Sequence, residues 1–126
     1  MRIVIQRVTR ASVSIEGRIE SAIEKGMMVL LGVGYADTDD DIDWLVKKTI
    51  NLRIFDDSEG VMNLSVKDVA GSILVVSQFT LMASCKKGNR PSYIHAASPD
   101  VSVPLYERFC QRLSDALEKP VSTGVF

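Results

Sequence analysis

Two stretches of this 126-residue chain carry side chains whose types and spacing could do chemistry. In Ser77-Gln78-Phe79-Thr80, two hydroxyls and an amide follow four apolar residues, Ile73 to Val76. Polar side chains are costly to bury unless they find partners, so such a cluster marks a strand end reaching a pocket or loop. A strand that merely emerges into solvent shows the same pattern, and the spacing alone leaves both readings open. In Lys86-Lys87-Gly88-Asn89-Arg90, three positive charges stand with no acid between Asp68 and Asp100. A basic loop beside a polar strand end suits a phosphate backbone, although a solvated loop has the same composition.

Other chemistries find little support. His95 is the single imidazole available to activate a hydroxyl nucleophile, and no Gly-x-Ser-x-Gly elbow accompanies it. Gly32-Val33-Gly34 lacks the rest of a phosphate-cradling glycine pattern. Five aspartates between Asp37 and Asp43 suggest a cation site, but they lack the Gly and terminal Glu of an EF-hand loop. Acidic residues there are equally what a helix start favours, and capping is the preferred reading. Cys85 and Cys110 stand far apart with no Cys-x-x-Cys, which argues against a disulfide framework or a zinc site. Cys110 falls on an apolar helical stripe and reads as core. No metal and no cofactor is expected.

The elements that must position these residues follow from periodicity. Met1–Val8 reads as a strand, and Ala11–Glu16 alternates, with Glu16-Gly17 a tight turn into Arg18–Ile23. Met27–Val33 shows no alternation and is read as a strand covered on both faces, Met27 and Met28 being core filling. Ile42, Leu45, Val46, Thr49 and Ile50 form one helical stripe. Arg53–Phe55 is short and extended, with a turn at Asp56–Gly60. Ser72–Thr80 is the strongest strand candidate, and Ala83–Tyr93 is a loop. A second helix carries Tyr106, Phe109, Cys110, Leu113, Ala116 and Leu117 on one face, capped by Ser98, Asp100 or Ser102 and ended by Lys119-Pro120. About six strands and two helices predict an α+β domain, with a curved, mostly antiparallel sheet or barrel-like core and two packed helices.

Composition sets outer bounds. With 46% hydrophobic and 25% charged residues the chain resembles an ordinary globular domain, so disorder, collagen and coiled coil are poor readings. A net charge of −1 excludes indiscriminate coating of nucleic acid and leaves only a local basic patch for phosphate. Met1–Arg7 lacks the apolar run of a signal peptide, and Gly26–Tyr35 is about half the roughly 20 residues that span a bilayer. The expected setting is the reducing cytoplasm, with no membrane and no DNA partner.

Ile5–Val13, Val76–Leu81 and Gly88–Tyr93, together with Met27–Gly32, Arg53–Phe55, Gly60–Leu64, Ala97–Pro99 and Thr123–Phe126, closely resemble the D-aminoacyl-tRNA deacylases, also called D-tyrosyl-tRNA deacylases. The blocks occur in order and span essentially the whole chain. The resemblance implies a homodimer that cleaves the ester joining a D-amino acid, or glycine mischarged on tRNA-Ala, to the terminal adenosine of tRNA. The family's Ser-Gln-x-x-Thr signature falls on Ser77, Gln78 and either Thr80 or Leu81, with Ser77–Thr80 the matching block.

On that footing the substrate site is Ser77, Gln78, Phe79 and Thr80. The Phe79 and Thr80 amides are candidate oxyanion donors, and the Ser77 and Gln78 side chains orient the substrate. An aminoacyl ester is already reactive, so positioning and oxyanion stabilisation matter more than a strong nucleophile. The preferred attack is by water assisted by the vicinal ribose hydroxyl; Thr80 as nucleophile has no evident base. Lys86, Lys87 and Arg90 are the expected tRNA contacts.

Members of the family also carry a Gly-cisPro motif in a later strand. This sequence departs from them there: it runs to Phe126, and none of Pro91, Pro99, Pro104 and Pro120 follows a glycine. Residues 1–126 are therefore expected to form one domain of this kind without the family's C-terminal strands. The rival readings are a non-catalytic module binding a free amino acid or a tRNA end, and a hydrolase of another activated acyl group such as a thioester.

Overall fold

A computed structural model describes all 126 residues. The strands are β1 (Arg2–Val8), β2 (Ala11–Ile15), β3 (Arg18–Ile23), β4 (Gly26–Gly32), β5 (Phe55–Asp56), β6 (Met62–Leu64), β7 (Ser72–Ser77) and β8 (Ser122–Thr123), with helices α1 (Asp39–Asn51) and α2 (Pro99–Leu117). The main sheet has the order β1-β4-β7-β8, and two small pairs, β2-β3 and β5-β6, stand beside it. Three of the five pairings are antiparallel, while β4-β7 and β7-β8 run parallel. The main sheet is open, with β1 and β8 as outer strands, and does not close into a barrel.

The periodicities place the core. Met27, Val29 and Leu31 of β4 and Ile73 and Val75 of β7 share one cluster with Ile42, Val46 and Ile50 of α1 and Phe109, Leu113 and Leu117 of α2. Side chains alternate across a strand, so Leu74, also buried, faces the opposite side, where Met28 and Leu30 are half-buried. β4 is therefore covered on both faces, completely on the helix side and partly on the other. Ser21 Oγ donates to the Thr123 carbonyl at 2.7 Å, tying the β2-β3 hairpin to β8. The hairpin turn sits at Glu16-Gly17, both at positive φ (51° and 79°), the conformation a tight two-residue turn demands.

The acidic run opens α1, as the capping reading expects. Asp41 accepts the Thr38 N–H at 2.8 Å, and Asp43 accepts from Arg112 Nη1 at 2.7 Å, an ion pair to α2. Asp39 pairs with Arg108 and Arg112, and Asp37 accepts the Gly34 N–H at 2.6 Å. These carboxylates fasten one helix to the other and to the loop before it. Cys110 is buried, as read, and burial pushes its thiol up to about 11, away from a reactive thiolate.

The structure departs from the periodicity reading in three places. β6 and β8 are two short strands that a pattern of two or three residues cannot announce. The strand expected to reach Thr80 stops at Ser77, and Phe79–Met82 winds into a single 3₁₀ turn. Gly32 makes that bend feasible: a Cβ there would lie 2.9 Å from Leu81 Cβ and 3.1 Å from the Gln78 carbonyl oxygen. The turn folds back over bare backbone.

Candidate active site

The chemistry-bearing stretch lies where β7 gives way to the 3₁₀ turn. The Gln78 N–H makes the last ladder bond, to the Leu31 carbonyl at 2.8 Å. The turn then closes through Leu81 N–H to Gln78 O (3.2 Å) and Ala83 N–H to Thr80 O (3.2 Å). Between them the amides of Phe79 and Thr80 donate to nothing in the chain. These are the orphan donors that open any helical turn, and they give it a positive end. Arg2 Nη1 donates to the Leu81 carbonyl at 2.8 Å and holds the far end of the turn against β1.

Ser77 and Phe79 line a cavity of about 430 Å³ together with Val33, Ala97, Ser102 and Phe126. None of the side chains around it is ionisable, so field within it comes from main-chain dipoles and hydroxyls. Gln78 and Thr80 stand aside from its wall. Their side chains bond one another, Gln78 Nε2 donating to Thr80 Oγ1. No imidazole or carboxylate bonds the Thr80 hydroxyl, and His95 lies in a different cavity.

That second cavity, of about 420 Å³, is ringed by Lys86, Lys87, Arg90 and His95 with Ser84 and Ser92. Ser84 and Ser92 close the loop by a reciprocal pair of main-chain bonds, each 2.8 Å. Gly88 takes φ +142°, which a side chain would strain. Lys86, Lys87 and Arg90 are exposed, and none is paired with a carboxylate. The structure thus brings Ser77 and Phe79 to one cavity and the three cations to another.

Residues left without a role at the site on sequence grounds stand beside these cavities. Tyr93 sets its ring edge-on to Phe79, with centroids 5.4 Å apart. Ala97, just before α2, and Ser102, in its first turn, line the first cavity. The exposed aromatic in the otherwise polar Gly88–Tyr93 block is the one sequence mark that could have pointed to Tyr93. No three His, Cys, Asp or Glu side chains come together in a way that could hold a metal ion. No helix is long and apolar enough to cross a membrane.

Fold and site together define a class: an α+β domain that offers unpaired main-chain amides beside an uncharged cavity, with a cationic loop close by. The family model described as D-Tyr-tRNA(Tyr) deacylase matches residues 4–126, and the chain belongs to that family. A Bacteroides thetaiotaomicron protein named D-aminoacyl-tRNA deacylase is 64% identical over 126 residues, which take in all of this chain and 84% of the relative. Proteins of the same name from Porphyromonas gingivalis and Flavobacterium johnsoniae are 61% and 56% identical with the same coverage. A solved structure described as a c-Myc DNA Unwinding Element Binding Protein superposes with a TM-score of 0.91 at 38% identity, covering 98% of this chain and 85% of its own. A probable eukaryotic D-amino acid tRNA deacylase, at TM-score 0.76 and 21% identity over 92% of this chain and 68% of its own, shares the fold.

Proposed function

We propose that this chain hydrolyses the ester joining a D-amino acid to the terminal adenosine of tRNA, releasing free D-amino acid and tRNA. Glycine mischarged on tRNA-Ala is a second substrate, the enzyme works as a homodimer in the cytoplasm, and DNA is not a partner. One observation carries the reading: Phe79 and Thr80 keep free amides where β7 ends, and Phe79 lines an uncharged cavity of about 430 Å³.

The chemistry suits those groups. Attack on an ester carbonyl puts negative charge on its oxygen, and preformed amide donors stabilise that charge without reorganising. Phe79 and Thr80 N–H are the oxyanion donors, while Ser77 and Gln78 orient the acyl-ribose. The nucleophile is water, with the vicinal ribose hydroxyl taking part in proton transfer. Thr80 accepts a hydrogen bond from the Gln78 amide, which makes its oxygen a poorer nucleophile. Thr80→Ala is therefore expected to lower kcat by no more than about tenfold, the worth of one neutral hydrogen bond. A loss of many orders of magnitude with substrate binding intact would instead establish a Thr80 nucleophile.

Lys86, Lys87 and Arg90 contact tRNA phosphates. Two or three neutralised phosphates give a log–log salt slope of roughly −2 to −3 for tRNA binding, and replacing all three residues by Gln should flatten it. An unchanged slope places the tRNA contact elsewhere. The deciding experiment offers D-tyrosyl-tRNA and L-tyrosyl-tRNA side by side: the D form is expected to be deacylated and the L form spared. Equal cleavage of both, or binding of the D form without turnover, overturns the reading.

A further inference from the structure

Resting on that reading, we infer that the loop cavity seats the phosphodiester joining the last two nucleotides of the substrate's single-stranded 3′ end, with a neighbouring base against Tyr93. The ligand class is one bent strand of RNA rather than the two backbones of a duplex stem.

Three observations converge on it. First, the Ser84–Ser92 bonds shut the loop into a ring, so its cations surround a cavity instead of fanning over a surface. A cavity of about 420 Å³ has room for that phosphodiester with its sugar oxygens, and with three cations around it the preceding phosphate of the strand makes up the two that the salt slope counts. Second, three cations, Lys86, Lys87 and Arg90, line this one cavity, and none of them is neutralised by a carboxylate. Unengaged cations around a cavity leave anion binding as their available role.

Third, the two cavities adjoin through a wall of exposed aromatics. Ser92 and Ile94 line the loop cavity, and Tyr93 between them turns its ring to Phe79, which lines the other. Tyr93 is 40% and Phe79 57% exposed, large values for rings that touch each other. A basic groove with aromatic rings along it is how proteins hold single strands, each ring carrying a base. An acyl-ribose at Ser77–Thr80 then puts the phosphate on that ribose's own 5′-oxygen on the loop side of Tyr93.

A ladder of esters tests this: D-tyrosyl-adenosine, the same nucleoside carrying a 5′-phosphate, the dinucleotide D-tyrosyl-CpA, and full D-tyrosyl-tRNA. Wild-type kcat/KM is expected to rise at least about tenfold between the nucleoside and the dinucleotide, with a smaller gain on adding the stem. The Lys86→Gln/Lys87→Gln/Arg90→Gln variant should lose that first gain. Tyr93→Leu should lose about tenfold of it, and Tyr93→Phe should keep it. The competitor arm uses CpA, the deacylated dinucleotide, expected to inhibit where inorganic phosphate at the same concentration does not. Equal inhibition by inorganic phosphate, or a gain that arrives only with the duplex stem, overturns the inference while leaving the activity intact. Failure of wild type to cleave any member of the ladder, tRNA included, sinks the deacylase reading instead.

Discussion

Phe79→Pro is expected to lower kcat by about 10²–10³-fold relative to Phe79→Ala, the loss measured for one oxyanion donor elsewhere. Proline removes the N–H at that position and nothing else of the main chain. The site tolerates it, for reasons visible in the backbone. Phe79 opens the 3₁₀ turn, where a proline's fixed φ is already suitable and its missing N–H breaks no bond. Gln78 before it lies at φ −142° and ψ 88°, outside the α region that a following proline disfavours. Both variants lose the ring and its edge contact with Tyr93, so their ratio isolates the amide. Thermal melting should place the two within a few degrees of each other. Turnover of the two variants within about threefold on D-tyrosyl-tRNA would remove Phe79 N–H from the oxyanion site.

How much of this was open to a reader of the sequence depends on the range of the interaction. The stripe Ile42–Ile50 and the unbroken apolar run of β4 are local patterns, and the helix and buried strand they predict are present. The aspartates before the first stripe were legible for the same reason, since capping is decided within one turn. The basic loop was visible as a run of charge, but its closure into a ring depends on Ser84 meeting Ser92. The bend after Ser77 was not legible. An apolar strand turning polar looks identical whether it enters solvent or folds back. What selects the bend is Gly32, some 45 residues earlier, whose bare backbone admits Leu81 and Gln78. The resemblance of Ser77–Thr80 to a known signature drew attention to that stretch without saying which groups in it are free. Only the hydrogen-bond pattern separates the two unpaired amides from the paired side chains of Gln78 and Thr80.

The same one-carbon change at the two ends of β4 should have opposite signatures. At Gly26 an added Cβ would lie 1.8 Å from the Ser72 carbonyl oxygen and 2.7 Å from its carbon and nitrogen. Those atoms belong to the first rung of the parallel β4-β7 ladder, and Ser72 N–H is itself bonded to Lys25 O at 3.0 Å. Neither strand can withdraw without giving up that pairing, so Gly26→Ala is expected to cost about 3 kcal/mol or more of stability. A urea titration reads this as a lower midpoint at unchanged slope. At Gly32 the obstruction is Leu81 Cβ at 2.9 Å and Gln78 O at 3.1 Å, atoms of a turn that can shift by a few tenths of an ångström. Gly32→Ala should therefore cost only about 1–2 kcal/mol, while tilting the Phe79 and Thr80 amides away from the developing oxyanion. Misplacement of that order can remove up to about 10²-fold in rate, and the loss should fall on kcat more than on KM because the donors act chiefly in the transition state. Gly32→Ala enzyme that melts much lower yet turns over normally would mean that the glycine serves packing alone, and that the turn it underlies is not where the ester is cleaved.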